Sequence, residues 1–164
     1  MRLNFSYLLI AVASVLFSSC DSSGSSSAKG IYDVAPDDPE MKASEKAAKA
    51  TLAQFLAVVQ NHDSTAHSFA VKLPFAAGGD NEYLWLGELS LEDGKWYGTV
   101  DNTPEYTQEV KYGEKVEFDT ARVADWNYTK NGVLIGGYSI RLLRNRMNPE
   151  QRAEFDKSTN WTIK

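Results

Sequence analysis

The apolar positions of this chain change rhythm along its length, and each rhythm predicts a different element. Met41, Ala48, Leu52, Phe55, Leu56 and Val59 recur at helical spacing while Lys42, Glu45, Lys46 and Lys49 fall elsewhere, which predicts one long amphipathic helix ending near Asn61. Asp37-Asp38-Pro39-Glu40 marks its start: an Asp to accept from free backbone N–H groups, a proline preset to helical φ, and an acid at the positive end of the dipole. Beyond the helix the spacing drops to two. Phe69, Val71 and Leu73 alternate with Ser68, Ala70 and Lys72 in a strand that Pro74 is expected to stop. After the loop Ala76-Ala77-Gly78-Gly79-Asp80, alternation over 83–91 predicts a strand with Tyr83, Trp85, Leu89 and Leu91 on one face. Asp93-Gly94 turns the chain into a strand over 96–100, which Asp101-Asn102-Thr103-Pro104 ends. Further strands are predicted at 114–120, 122–128 and 133–143, the last two joined by Asn131-Gly132. Asn148-Pro149-Glu150-Gln151 repeats the cap, proline and polar third-position pattern and opens a short helix toward Phe155.

These elements imply an α+β domain over 37–164. One long N-terminal amphipathic helix packs on a curled antiparallel sheet of about five to six strands, followed by a short C-terminal helix. The links between strands are too short for parallel crossovers.

Ahead of this domain the sequence is of another kind. The apolar run over 8–17, preceded by Arg2 and followed by Ser18-Ser19-Cys20, is shorter than the ~20 residues a membrane-spanning helix needs and fits a secretory core. Residues 1–19 are therefore expected to be a signal peptide. Cys20, the one cysteine of the chain, stands where the lipobox of bacterial lipoproteins places its lipidated residue, so the expected membrane partner is reached through lipid on Cys20. Cleavage by the general signal peptidase and retention as an uncleaved anchor are the alternatives. Residues 20–36, with their Ser/Gly-rich stretch, are expected to form a flexible tether. This places the domain in the cell envelope outside the cytoplasm, at the inner membrane if Asp21 acts as a retention signal.

The formal net charge of −5 at pH 7, made more negative by removal of Arg2, argues against nonspecific nucleic-acid binding, which needs clustered Lys and Arg. Four tryptophans, eight tyrosines and seven phenylalanines supply a core, and a single cysteine permits no internal disulfide. Candidate chemistry is sparse. His62 and His67 with Asp80 and Glu82 have zinc-binding residue types, but they straddle a helix end and a strand start, where no fixed periodicity aims both imidazoles at one point. Ser64, Ser68, Ser90 and Ser139 lack a G-x-S-x-G turn. The pair Asp119 and Asp125 has the residue types for acid–base work, as any acidic domain does. No metal and no cofactor is expected.

Asp125-Trp126-Asn127-Tyr128, followed by Gly136-Gly137-Tyr138-Ser139-Ile140-Arg141, is more particular. One reading is an aromatic-walled pocket with a charged floor, with Asp125, Trp126, Tyr128, Tyr138 and Arg141 as its binding surface. The other makes Trp126 and Tyr138 core, Gly136-Gly137 a bulge, and Asp125 a cross-strand partner of Arg141. Arg122, Arg141, Arg144 and Arg146 form either a local basic patch or a solvated strand edge.

Together with Phe69-Ala70-Val71-Lys72, Trp85, the hairpin over 94–98, Asn102 with Pro104, and Gly113 with Val116, these motifs resemble the YegJ-like family of bacterial domains of unknown function, over about residues 45–155. Ser139 stands where threonine is the family's usual residue, so the hydroxyl is kept. The resemblance implies a compact α+β domain with no established activity, cofactor or catalytic residue. The leading functional expectation is a non-catalytic binding or interaction module of the envelope, with an envelope protein as one possible partner. The alternatives are a small envelope enzyme using Asp119, Asp125 or Arg141, and a protective or inhibitory lipoprotein acting on an envelope protein.

Overall fold

The structure, a computed structural model, describes residues 37–61 and 63–164. The expected signal peptide 1–19, the lipidation site Cys20, the tether 20–36 and His62 lie outside the described residues. Helix α1, Pro39–Gln60, begins where the cap pattern predicts: the Asp38 carboxylate accepts from the N–H groups of Glu40 and Met41 at 2.9 and 3.1 Å. It is followed by β1 (Ala66–Ala77), β2 (Asp80–Glu92), β3 (Lys95–Val100), β4 (Lys115–Phe118), β5 (Asp125–Lys130) and β6 (Val133–Gly136). All neighbours pair antiparallel in one open sheet of order β4-β3-β2-β1-β5-β6, so the fold is α+β. Asp93-Gly94 and Asn131-Gly132 adopt positive φ at both positions, as the tight primed turns between β2 and β3 and between β5 and β6 require. Two helices end the chain: α2, Tyr138–Arg146, and α3, Pro149–Ser158. The second opens on a capping box in which Asn148 and Gln151 bond each other's backbone N–H.

The structure corrects several sequence expectations. Pro74 does not stop β1. The strand runs on to Ala77, because β5 leaves it at Lys72 and Pro74 has only a carbonyl to satisfy, which Arg122 meets by donating to it at 2.6 Å. On β2 the core positions are Leu84 and Leu86, opposite Leu73 and Val71, while Tyr83 and Leu91 are exposed. A bulge between Gly87 and Ser90, with Glu88 at φ 48°, then changes the phase and returns Leu89 to the core side. The strand expected over 122–128 starts only at Asp125. A 3₁₀ turn, Thr120–Arg122, precedes it, with the Asp119 carboxylate accepting from the Ala121 N–H. The strand expected over 133–143 ends at Gly136, and its second half is α2.

Phe55 of α1 stacks on Trp126 with ring centres 4.9 Å apart, and the Trp126 indole Nε1–H donates to the Ala48 carbonyl at 2.9 Å. Val71 lies opposite both Leu86 and Trp126, so these residues share the side of the sheet that meets Phe55. Burial of each such large apolar side chain is worth roughly 1.5–3 kcal/mol. By strand alternation Lys72, Trp85 and Asp125, themselves in one register, take the opposite side. The long link from β3 to β4 is held down by Glu82, whose carboxylate accepts from the N–H groups of Glu105, Tyr106 and Thr107.

Candidate functional site

The change from β6 to α2 organises this end of the molecule. Gly136 and Gly137 both have positive φ, and a Cβ on Gly136 would collide with the ring and the carbonyl of Trp126. Gly137 occupies the N-cap of α2 without a side chain to offer, so the cap comes from another strand. Asp125 Oδ1 accepts from the N–H of Trp126 at 2.8 Å and of Tyr138 at 3.1 Å. Its Oδ2 accepts from the Ser139 N–H at 2.7 Å and the Ser139 hydroxyl at 2.6 Å. Burial pushes the Asp125 carboxyl above its ordinary value, and these donors oppose that push.

Arg141 does not pair with Asp125. It donates to the carbonyls of Gly136, Leu134 and Lys164 at 2.8, 2.7 and 3.0 Å, pinning β6 and the chain end to α2. The residues expected to form an open binding surface are therefore differently placed. Asp125, Trp126 and Tyr128 are only 1, 5 and 8% exposed, and the Tyr138 hydroxyl bonds Thr51 of α1 at 2.7 Å. They form an interior seam, with Trp126 and Tyr138 as core aromatics in T-shaped contact and Gly136-Gly137 as a helix start rather than a bulge. The four arginines form no common basic patch: Arg122 and Arg141 serve carbonyls, Arg144 forks onto Asp156, and Arg146 reaches Asp38 and Glu40. Asp119 caps its own turn, away from Asp125. His67 and Asp80 lie at opposite ends of the β1–β2 hairpin, and Glu82 is committed to the 105–107 backbone.

What the sequence did not single out is Lys72. It faces Trp85 on β2 and Asp125 on β5, and its Nζ lies 5.7 Å from the Trp85 ring centre and 5.8 Å from that of Tyr83. Among the described residues no acceptor reaches the ammonium within hydrogen-bond distance; burial holds the amine below its usual value, partly offset by attraction to Asp125. Lys72 and Trp85 form one side of a cavity of about 160 Å³. Ile140, Leu143 and Met147 of the α2 region, with Phe155 and Trp161 in edge-to-face contact, form the other. Ser139 also lines it, with its hydroxyl already given to Asp125. The arrangement presents one cation with free valence in an otherwise apolar recess. The alternation of 69–73 put Lys72 on the polar side of its strand, where a solvated lysine is the ordinary reading. The unforeseen α2, together with Phe155 of α3 and Trp161, covers it.

Comparison with known proteins gives the chain its relatives. A family model described as an uncharacterized protein conserved in bacteria (DUF2314) matches residues 38–162. The chain is 31% identical over 104 residues to the uncharacterized protein YegJ of Escherichia coli K12, covering 63% of this chain and 67% of that one. It is likewise 31% identical over 135 residues to a putative ankyrin repeat protein of Neisseria meningitidis, covering 77% of this chain and about half, 52%, of that protein. No solved structure matches the chain.

Proposed function

We infer that this chain, which belongs to the DUF2314 family of bacterial proteins, works as an exported, lipid-anchored binding module of the cell envelope. Its recognition site is the recess around Lys72. Export and anchoring rest on the signal-like segment 1–19 and on Cys20 beside it. The binding role rests on one observation: the partly buried Lys72 sets an ammonium with no hydrogen-bond acceptor among the described residues at the wall of a largely apolar recess. The arrangement favours binding over catalysis, because Asp125 and Arg141, the groups an acid–base reaction would call on, are taken up by backbone bonds.

Two paired measurements test the reading. Metabolic labelling with a radioactive fatty acid is expected to mark the native chain in the membrane fraction and to miss Cys20→Ala; label on both variants, or on neither, removes the anchor. Crosslinking from intact cells, comparing the native chain with folded Lys72→Met and Trp85→Ala variants, is expected to return a Lys72-dependent adduct. Identical adducts from all three would move recognition away from the recess.

A further inference from the structure

We propose that the recess between the sheet and the α2–α3 pair is a site for a small organic monocarboxylate, whose carboxylate meets Lys72 Nζ and whose apolar body fills the space between Trp85, Leu143, Met147, Phe155 and Trp161. This rests on the binding-module reading and names its ligand class. First, the polar side-chain groups of the lining without a hydrogen-bond partner among the described residues are donors: the Lys72 ammonium and the indole N–H groups of Trp85 and Trp161. Ser139 spends its proton on Asp125, and the Met147 thioether is a weak acceptor only. A recess offering donors alone selects an acceptor-rich ligand.

Second, the charge there leaves no room for a dianion. Nearby cations are directed elsewhere: Arg144 to Asp156, Arg146 to Asp38 and Glu40, and the Arg152 Nη2 to the carbonyls of Asn145 and Met147, its buried Nε–H having no partner among the described residues. The Asp125 carboxylate takes its hydrogen bonds from other donors and attracts Lys72 only through space, so the hydrogen-bonding valence of Lys72 stays open. A phosphate dianion would bring two charges against a single cation that already faces Asp125. Third, the size fits. An apolar cavity of about 150 Å³ holds one benzene ring, and the recess measures about 160 Å³. A single ring or a short branched chain fits, with its carboxylate directed to Lys72.

The test uses the purified full chain and two ligand pairs: benzoate against benzamide, and 3-methylbutanoate against its amide, titrated calorimetrically and by tryptophan emission. Each acid is expected to bind about 10- to 100-fold more tightly than its amide, the ratio a hydrogen bond to a charged group gives. The Lys72→Met variant is expected to remove that preference while keeping a native near-ultraviolet circular dichroism spectrum, with Lys72→Gln as the replacement should Met not fold. Equal affinity for acid and amide, or an acid preference that survives in both variants, overturns carboxylate recognition and leaves the binding-module reading standing. Absence of millimolar binding by either acid overturns the proposal too. The module reading falls with it only if the Lys72-dependent adduct is also missing from intact cells.

Discussion

Lys72 and Asp125 face each other across β1 and β5 on the same side of the sheet, and the molecule treats them in opposite ways. The carboxylate takes donors on both oxygens, from its own strand and from the first turn of α2. The ammonium, one strand away, sits over two aromatic faces with no acceptor among the described residues. A buried charge whose hydrogen bonds are complete is architecture. One left incomplete at a partly buried position, as on Lys72, is open to water or to a ligand.

The sharpest way to break this contrast is at Asp125. Asp125→Ala would leave the N–H groups of Trp126, Tyr138 and Ser139 without their acceptor, and a loss of about 3–5 kcal/mol of unfolding free energy in urea is expected. A loss below about 1 kcal/mol would mean that the cap is decorative. Ser139→Ala removes a single hydroxyl bond to the same carboxylate and should cost about 1–2 kcal/mol in the same assay. Lys72→Met removes a charge without orphaning a hydrogen-bond acceptor among the described residues, losing only its attraction to Asp125, so its stability at pH 7 should stay within about 1 kcal/mol of native or rise.

The same variant carries a pH signature. Because the folded Lys72 amine titrates below its ordinary 10.5, the unfolded chain binds more protons between the two values. Native stability should therefore rise with pH across that interval and fall back as pH drops through the folded value. Lys72→Met should flatten this rise, and benzoate affinity should decline over the same interval as the ammonium is lost. The smallest effect is expected at the far end of α1. Asp38, held at about 2 by Arg146 and the helix N–H groups, adds stability above its ordinary 3.8 that disappears as pH falls through about 2. Asp38→Asn should remove this acid dependence in a pH titration of the unfolding midpoint.

Legibility in the sequence followed locality. Asp38-Pro39, Asn148-Pro149-Gln151, Asp93-Gly94 and Asn131-Gly132 act through neighbours in the chain, and each marks an element boundary in the structure. Helix α2 was hidden because Tyr138, Ile140 and Leu142 alternate as in a strand, while the group that caps the helix lies 13 residues earlier, on β5. The candidate site was hidden for the same reason. The motif around Asp125, Trp126 and Gly136-Gly137 stood out in the sequence, but its residues hold the recess together rather than line its open side. Lys72 became visible as the wall of a recess only once α2 and α3 stood over it.

The strand order also fixes when the recess comes into being. Hairpins β1–β2, β2–β3 and β5–β6 close through short turns on a timescale of about 1–10 μs. The β1–β5 pairing must wait for a long loop to close, as must the bond between Trp126 and Ala48, 78 residues apart. Lys72 and Asp125 stand on either side of that late junction. A ligand in the recess should therefore find nothing to hold in the folding transition state. It should lengthen the lifetime of the native chain by slowing unfolding, and leave the rate of folding unchanged.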